Sequence, residues 1–330
     1  MELKKRTVEL ANFNCVFGDE NEPLLAHFSD VFYPAITSGY DIKYNGNHYT
    51  FDNINIFNHP DLGYVLTGLF IKQTELEILS QKDPISGKLI STNKSIPSAP
   101  FSIFVLLLRN HRLLFFKNQN GSPRTTTLKT ICEKMISRYL RKVNLGVNYN
   151  SKLPAAHITI IPLPSHSSLK EQFKNLKQIN SIVYKITPLN GDENFKSDMI
   201  DLLNQVNKLK ARDGSWKINK PEDKDKVIEQ IEDTRDLALA TVRGTAHNGN
   251  PIILTPDNYS EKVLVKLPVE SSQESIIESM YNIATENSAL LETSETNKNI
   301  YSESQDMIQS LMRWLRCFLT AKKGMLHLIL

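Results

Sequence analysis

The stretch RNHRLLFFKNQNGSPRTTTLKTICEKMISRYLRK, residues 109–142, decides how this chain is read. In its second half Leu128, Ile131, Cys132, Met135, Ile136, Tyr139, Leu140 and Val143 recur at i, i+3, i+4 spacing. That period gathers them on one side of a helix over 125–143. The first half continues the apolar run 101–108, and the two predict a hairpin: strands over 101–108 and 112–117 around Arg109, Asn110 and His111, then a turn over 118–123. The same stretch holds nine Lys or Arg residues and one acid, Glu133. Lys134, Arg138, Arg141 and Lys142 fall outside the apolar arc or on its edges, so the helix should bury one side and present cations on the other.

That charge is concentrated. Residues 109–142 sum to +8, and 143–190 add Lys152, Lys170, Lys174, Lys177 and Lys185 against Glu171, a further +4. The whole chain is only +3, so the remainder must carry −9. A helix built for solubility mixes signs to gain i, i+4 pairs, and this one has a single acid. The asymmetry points to a polyanion partner, with contacts to phosphates and little base readout, because no short-turn helix-turn-helix, zinc-finger spacing or ribonucleoprotein aromatic motif is present. The residues expected to bind DNA are Arg109, Arg112 and Lys117 on the hairpin, with Arg124, Lys129, Lys134, Arg138, Arg141 and Lys142 on or beside the helix. The bland alternative is a solvated helix face.

Working outward, 6–17 suits a first strand, and 22–33 has helical spacing. Asn45-Gly46 between alternating runs signals a hairpin. Residues 64–78 read as a strand followed by a polar segment, and 83–98, rich in turn formers, as a mobile loop. Strands are expected at 156–163, 181–189, either side of the Asn248-Gly249 turn, and at KVLVKLPV. Helices are expected at 195–210, 221–236, 271–288 and 301–319, with a possible one at 169–179 and a linker at 292–298. The fold class is α+β, two domains with mixed or antiparallel sheets flanked by helices: 1–146, an N-terminal domain carrying the basic hairpin and helix; 147–292, a second α+β domain; and 293–330, a linker and C-terminal helix. The last helix is apolar at 307, 308, 311, 312, 314, 315, 318 and 319, which fits docking on its own domain, pairing with a second copy, or lying on a membrane surface.

Other chemistry is thinly represented. With 330 residues, 40% hydrophobic, the chain can bury a sizeable core. No run reaches the ~18 apolar residues of a membrane span, and no signal peptide is visible. Cys15, Cys132 and Cys317 read as reduced thiols of a cytoplasmic protein, with no metal spacing. There is no glycine-rich phosphate loop, and neither cofactor nor small-molecule substrate is expected. Asp192, Glu193, Asp198 and Asp201 could suggest a nuclease metal site, but the expected Lys-bearing strand does not follow, and a solvated helix face is preferred. His48-Tyr-Thr50-Phe and His157-Ile-Thr159-Ile repeat the unit of the two-histidine phosphoesterases, whose paired imidazoles act as general acid and base. That is kept as the enzymatic alternative. A further alternative is a protein-interaction module without DNA binding.

The order of a KYNGNHYTF ribbon, an apolar strand, a second ribbon with Arg112, the Gly-Ser-Pro-Arg-Thr-Thr turn and helix, and then the HITI and SIVYKITPL strands resembles the RexA-like family of phage-exclusion proteins. More loosely it resembles the KwaB-type subunits of anti-phage systems. The resemblance spans roughly 40–265. It implies an intracellular homodimer that binds duplex DNA without sequence preference; the expectation that the protein is not an enzyme comes from the residues, which offer no catalytic constellation. The resemblance also implies a second domain that swivels, and action beside a membrane-protein partner encoded nearby.

Overall fold

The computed structural model describes residues 3–148, 151–190, 199–234, 238–268 and 270–327, with side chains of the last helix described as far as residue 315. Strand β1 (Leu3–Phe17) leads into the short β2 (Glu22–Pro23), a 3-10 turn (Leu24–His27), a π-helical turn (Phe28–Phe32) and α1 (Tyr33–Ile36). The expected single helix at 22–33 is therefore three tight segments in series. Strands β3 (Ile42–Tyr44) and β4 (Asn47–His59) form the hairpin expected at Asn45-Gly46. Both turn residues have positive φ, 48° and 76°, the pair of values a type I′ turn demands and Asn-Gly supplies at low cost.

The twenty-residue β5 (Gly63–Lys82) is longer than its sequence suggested, and 89–98 is a strand, β6 (Leu89–Ser98), paired to its distal half. The reading of 83–98 as a loop is thereby corrected: only the connection between the two strands is a turn. Strands β7 (Phe101–Leu107) and β8 (Arg112–Lys117) make the predicted hairpin, and α2 (Thr125–Val143) is the predicted helix. Six of its expected core side chains, Leu128, Ile131, Cys132, Met135, Ile136 and Leu140, are buried. Each fully buried side chain of this kind contributes about 1.5–3 kcal/mol. Strand β9 (Ala156–Pro162) then pairs with the second half of β1.

After β9 the chain builds a separate four-stranded sheet. Its elements are α3 (His166–Lys174), β10 (Leu176–Ile186), α4 (Ile200–Lys208), β11 (Gly214–Asn219), α5 (Lys224–Asp233), β12 (Ala238–Ala246), β13 (Pro251–Leu254) and α6 (Pro256–Tyr259). The strand order is β11-β10-β12-β13, with its own core around Phe173, Ile182, Tyr184 and Val242. The chain then returns as β14 (Lys262–Pro268), which pairs with the first half of β1, and closes with α7 (Gln273–Glu286), α8 (Ser288–Leu291) and α9 (Glu295–His327). The main sheet thus has the order β14-β1-β8-β7-β5-β4-β3, with β2, β6 and β9 joined at its sides, and its pairings are antiparallel. The α+β expectation holds.

Strand pairing crosses the boundary drawn at 147. The 147–292 unit is divided: β9, β14, α7 and α8 all belong to the main sheet's body, and the second body is an insertion over roughly 163–260. Its two connections run side by side, with Glu261 N–H donating to the Leu163 carbonyl at 2.7 Å and Pro164 bridging to Ser260. Helices cover both faces of the main sheet. On one face α2, the 24–36 segments and the first part of α9 enclose Phe13, Phe17, Phe70 and Phe115; on the other, α7 and α8 cover Val8, Leu10, Val65 and Ile103. The expected 292–298 linker shrinks, because α9 begins at Glu295. Ile308 is fully buried and Met307, Leu311, Met312 and Leu315 pack on the core, so this part of α9 docks on its own body. Trp314 is 60% exposed. The expectations for Phe318, Leu319 and Cys317 fall outside the described side chains, whereas Cys15 and Cys132 are free, buried thiols.

Candidate nucleic-acid interface

Helix α2 lies on the sheet by its apolar arc, and what it offers solvent follows from its period. At 3.6 residues per turn, Lys134, Arg138 and Arg141 fall within about 60° of one another. All three are exposed, as are Arg124, just before the first turn, and Lys142, in the last. Lys129, half-buried, flanks the strip on the β9 side. Arg141 and Lys142 also sit where cations stabilise the carbonyl end of a helix. Among the described residues none of Lys129, Lys134, Arg138, Arg141 and Lys142 is ion-paired to a carboxylate.

Two of these cations are held over aromatic rings from the β3 region. The Lys134 ammonium lies 5.6 Å from the Tyr44 ring centroid, and the Arg138 guanidinium 4.6 Å from that of Tyr40, while Arg138 Nη1 donates to the Asp41 carbonyl at 3.1 Å. Such contacts fix the side-chain stems and cost the charge little of its reach. Along this edge of α2 runs an open groove of about 760 Å³, lined by Asp41, Lys43, Thr130, Lys134, Arg138 and Arg141. Along the other edge runs a second of about 730 Å³, to which Arg141, Lys152, His157 and Arg212 turn. Arg212 comes from the inserted body, so both bodies contribute cations.

Glu133, the lone acid of residues 109–142, lines both grooves and is held by structure. Its Oε1 accepts from the Ile158 N–H at 3.1 Å and lies 3.8 Å from His157 Nδ1, tying α2 to β9. Burial holds the His157 imidazole below its ordinary pKa, with Glu133 opposing the shift and Lys129 and Arg212 adding to it, so the ring is neutral at pH 7. Lys43, Lys152 and Arg212 were not among the residues expected from sequence. Lys43 neighbours the Asn-Gly turn and Lys152 an aperiodic loop, and no local signal tells that either, or Arg212, faces α2.

The hairpin cations behave differently. Arg112 is 7% exposed on β8, opposite Asn12 of β1, and lines a cavity with Glu261 and Glu292. Its expected place on a phosphate-facing surface is corrected, because β8 is buried on both faces. Lys117 pairs with Glu9 at 2.6 Å, which offsets its charge. Arg109 is half-buried, and its Nη1 donates to the Asp61 carbonyl at 3.0 Å. It lines a cavity with Lys298 and Tyr301 that shares no residue with the grooves along α2.

The two histidines of the enzymatic alternative are not brought to one cavity. His48 Nδ1 contacts Asp41 at 2.8 Å, on the β3 side of α2, and His157 opens into the groove on the β9 side. Of the acids weighed for a metal site, Asp201 opens α4, while Asp192, Glu193 and Asp198 lie outside the described residues. Among the described residues no cluster of His, Cys, Asp and Glu could hold a metal ion, and no helix is long and apolar enough to cross a membrane.

None of the curated proteins matches the chain. One family pattern does, over residues 6–250, from β1 through both bodies to the turn before β13. The chain therefore belongs to the DUF4747 family, a domain of unknown function.

Proposed function

We propose that the chain binds double-stranded DNA through its phosphates, without sequence preference, along the exposed side of α2. The observation that carries this reading is the strip of Lys134, Arg138 and Arg141, flanked by Lys129 and Lys142 and free of carboxylate partners among the described residues. Lys43 borders it on one side, and Lys152 and Arg212 on the other. Cations on a rigid helix neutralise backbone charge and release counterions, and nothing in this surface selects a base. The reading is non-enzymatic. The resemblance to RexA-like proteins supports a role in phage exclusion or anti-phage defence, as a cytoplasmic homodimer beside a membrane-protein partner. The two-histidine alternative gains no support, because its imidazoles lie on opposite sides of α2. The test is a binding isotherm on two unrelated random-sequence duplexes. Equal affinities that weaken together as salt rises are expected; no binding at physiological salt overturns the reading.

A further inference from the structure

Beyond Thr74 the strand β5 leaves the main sheet. Its pairing with β4 ends at Gln73 and with β7 at Ile71, and from Thr74 to Lys82 its one partner among the described residues is β6. Residues 74–98 therefore project as a two-stranded arm. Six of the thirteen large hydrophobic side chains exposed among the described residues sit on it: Leu76, Leu79, Ile85, Leu89, Ile90 and Ile96. A two-stranded ribbon is marginally stable in water on its own, and a long apolar edge strand is a template for further pairing. The outer edge of β6 has no strand beside it among the described residues.

Charge and sequence pattern say what fits that edge. Glu75, Glu77 and Asp83 balance Lys82, Lys88 and Lys94, so the arm is neutral and offers nothing to a polyanion. It also lacks aromatic residues and excess cations, which are the features that seat a segment on an anionic lipid surface. The edge strand Leu89-Ile90-Ser91-Thr92-Asn93-Lys94-Ser95-Ile96-Pro97 reads alike in chemical class from either end about Asn93: two apolar residues, Ser, a polar residue, then the mirror of these. A two-fold interface requires that symmetry, because residue i facing j means that j faces i. Antiparallel pairing of β6 with β6 of a second copy sets Leu89 and Ile90 of each against Ile96 and Pro97 of the other, with the Ser and Thr positions between. The irregularity between Ile78 and Ser80 lies at the centre of this pairing, and a slip of one residue keeps one apolar pair at each end, Ile90 against Pro97 or Leu89 against Ile96. Neutral arms approach without the repulsion that two α2 faces would suffer.

We propose that this arm is a homodimerisation element, joining two copies edge to edge through β6 into a four-stranded sheet. The proposal deepens the homodimer named in the proposed function and uses a surface apart from the DNA-binding one; a monomeric wild type overturns both, whereas a dimer that persists without the arm overturns only this proposal. The test is the mass of the full chain in solution at micromolar concentration, for wild type and for Ile90→Lys with Ile96→Lys. Both side chains are exposed in the monomer, so the double substitution should leave the fold intact. A wild-type dimer that becomes a monomer is expected. An independent readout is Asn93→Cys on a Cys317→Ser background: oxidation should join two copies through a disulfide at the two-fold, which reducing agent reverses. A monomeric wild type, or a dimer unmoved by the double substitution and uncrosslinked through Cys at 93, overturns the proposal.

Discussion

Replacing Arg138, Arg141 and Lys142 together by Ala removes three cations from the last two turns of α2 while leaving its buried arc untouched. If each neutralises one phosphate, the slope of log affinity against log salt should fall by about 2.7, three times the ~0.9 expected per phosphate on B-DNA. Between ~50 and ~200 mM salt the variant should then lose roughly 40-fold less affinity than wild type loses over the same range. Stability should move little, because none of the three is ion-paired to a carboxylate among the described residues; the largest single loss is the Arg138–Tyr40 contact, worth ~0.5–1 kcal/mol at an exposed site. Lys117→Ala is the matched control, since its ammonium already faces Glu9 at 2.6 Å. Fluorescence anisotropy on a labelled random duplex across a salt series measures the slope. A triple variant with the wild-type slope, or a control that loses as much, refutes the assignment of these contacts.

Two further predictions concern the fold that presents the helix. His111 lies in the β7–β8 turn at φ 60°, fully buried with both ring nitrogens lacking a hydrogen-bond partner among the described residues, and burial, reinforced by Arg112, lowers its pKa from 6.5 to about 3. Between those values the unfolded chain binds a proton the folded chain does not, so stability falls as pH drops through the window, by up to about 1.4 kcal/mol per unit. His111→Asn, which tolerates the left-handed φ, should flatten urea midpoints measured from pH 7 to pH 5; an unchanged acid slope contradicts this. Gly68 on β5 packs so closely that a Cβ would press on the Ile54 methyl and come within 2.8 Å of the Phe104 ring, so Gly68→Ala should cost about 1–3 kcal/mol in denaturant unfolding, and a neutral effect would mean that the cross-sheet packing is wrong.

What the sequence disclosed follows its local periods. Helix α2 and the β7–β8 hairpin were legible because helical spacing and an unbroken apolar run are properties of a few turns of chain, and Asn45-Gly46 because the turn's φ values select its residues. Strand β6 was not legible: exposed on both faces, it has no buried side to impose alternation, and its Ser, Asn and Lys residues read as loop. The insertion was not legible either. The pairing of β14 with β1 joins residues some 250 apart in sequence, and nothing local marks it. The same division runs through the site. The α2 cations could be placed by phase, but the burial of Arg112 depends on strands packing both faces of β8, and the approach of Lys43 and Arg212 depends on tertiary structure.

The central claim, that one side of α2 faces a sugar-phosphate backbone, is tested most directly by lysine footprinting. The chain is acetylated in the presence and absence of a random duplex, and modification is read site by site by mass spectrometry. Lys43, Lys129, Lys134, Lys142 and Lys152 should be protected together by the duplex, while Lys262 and Lys266 on β14 and Lys298 at the start of α9 react as before. Protection of the second group with the α2 lysines left reactive would place the interface elsewhere and contradict the account.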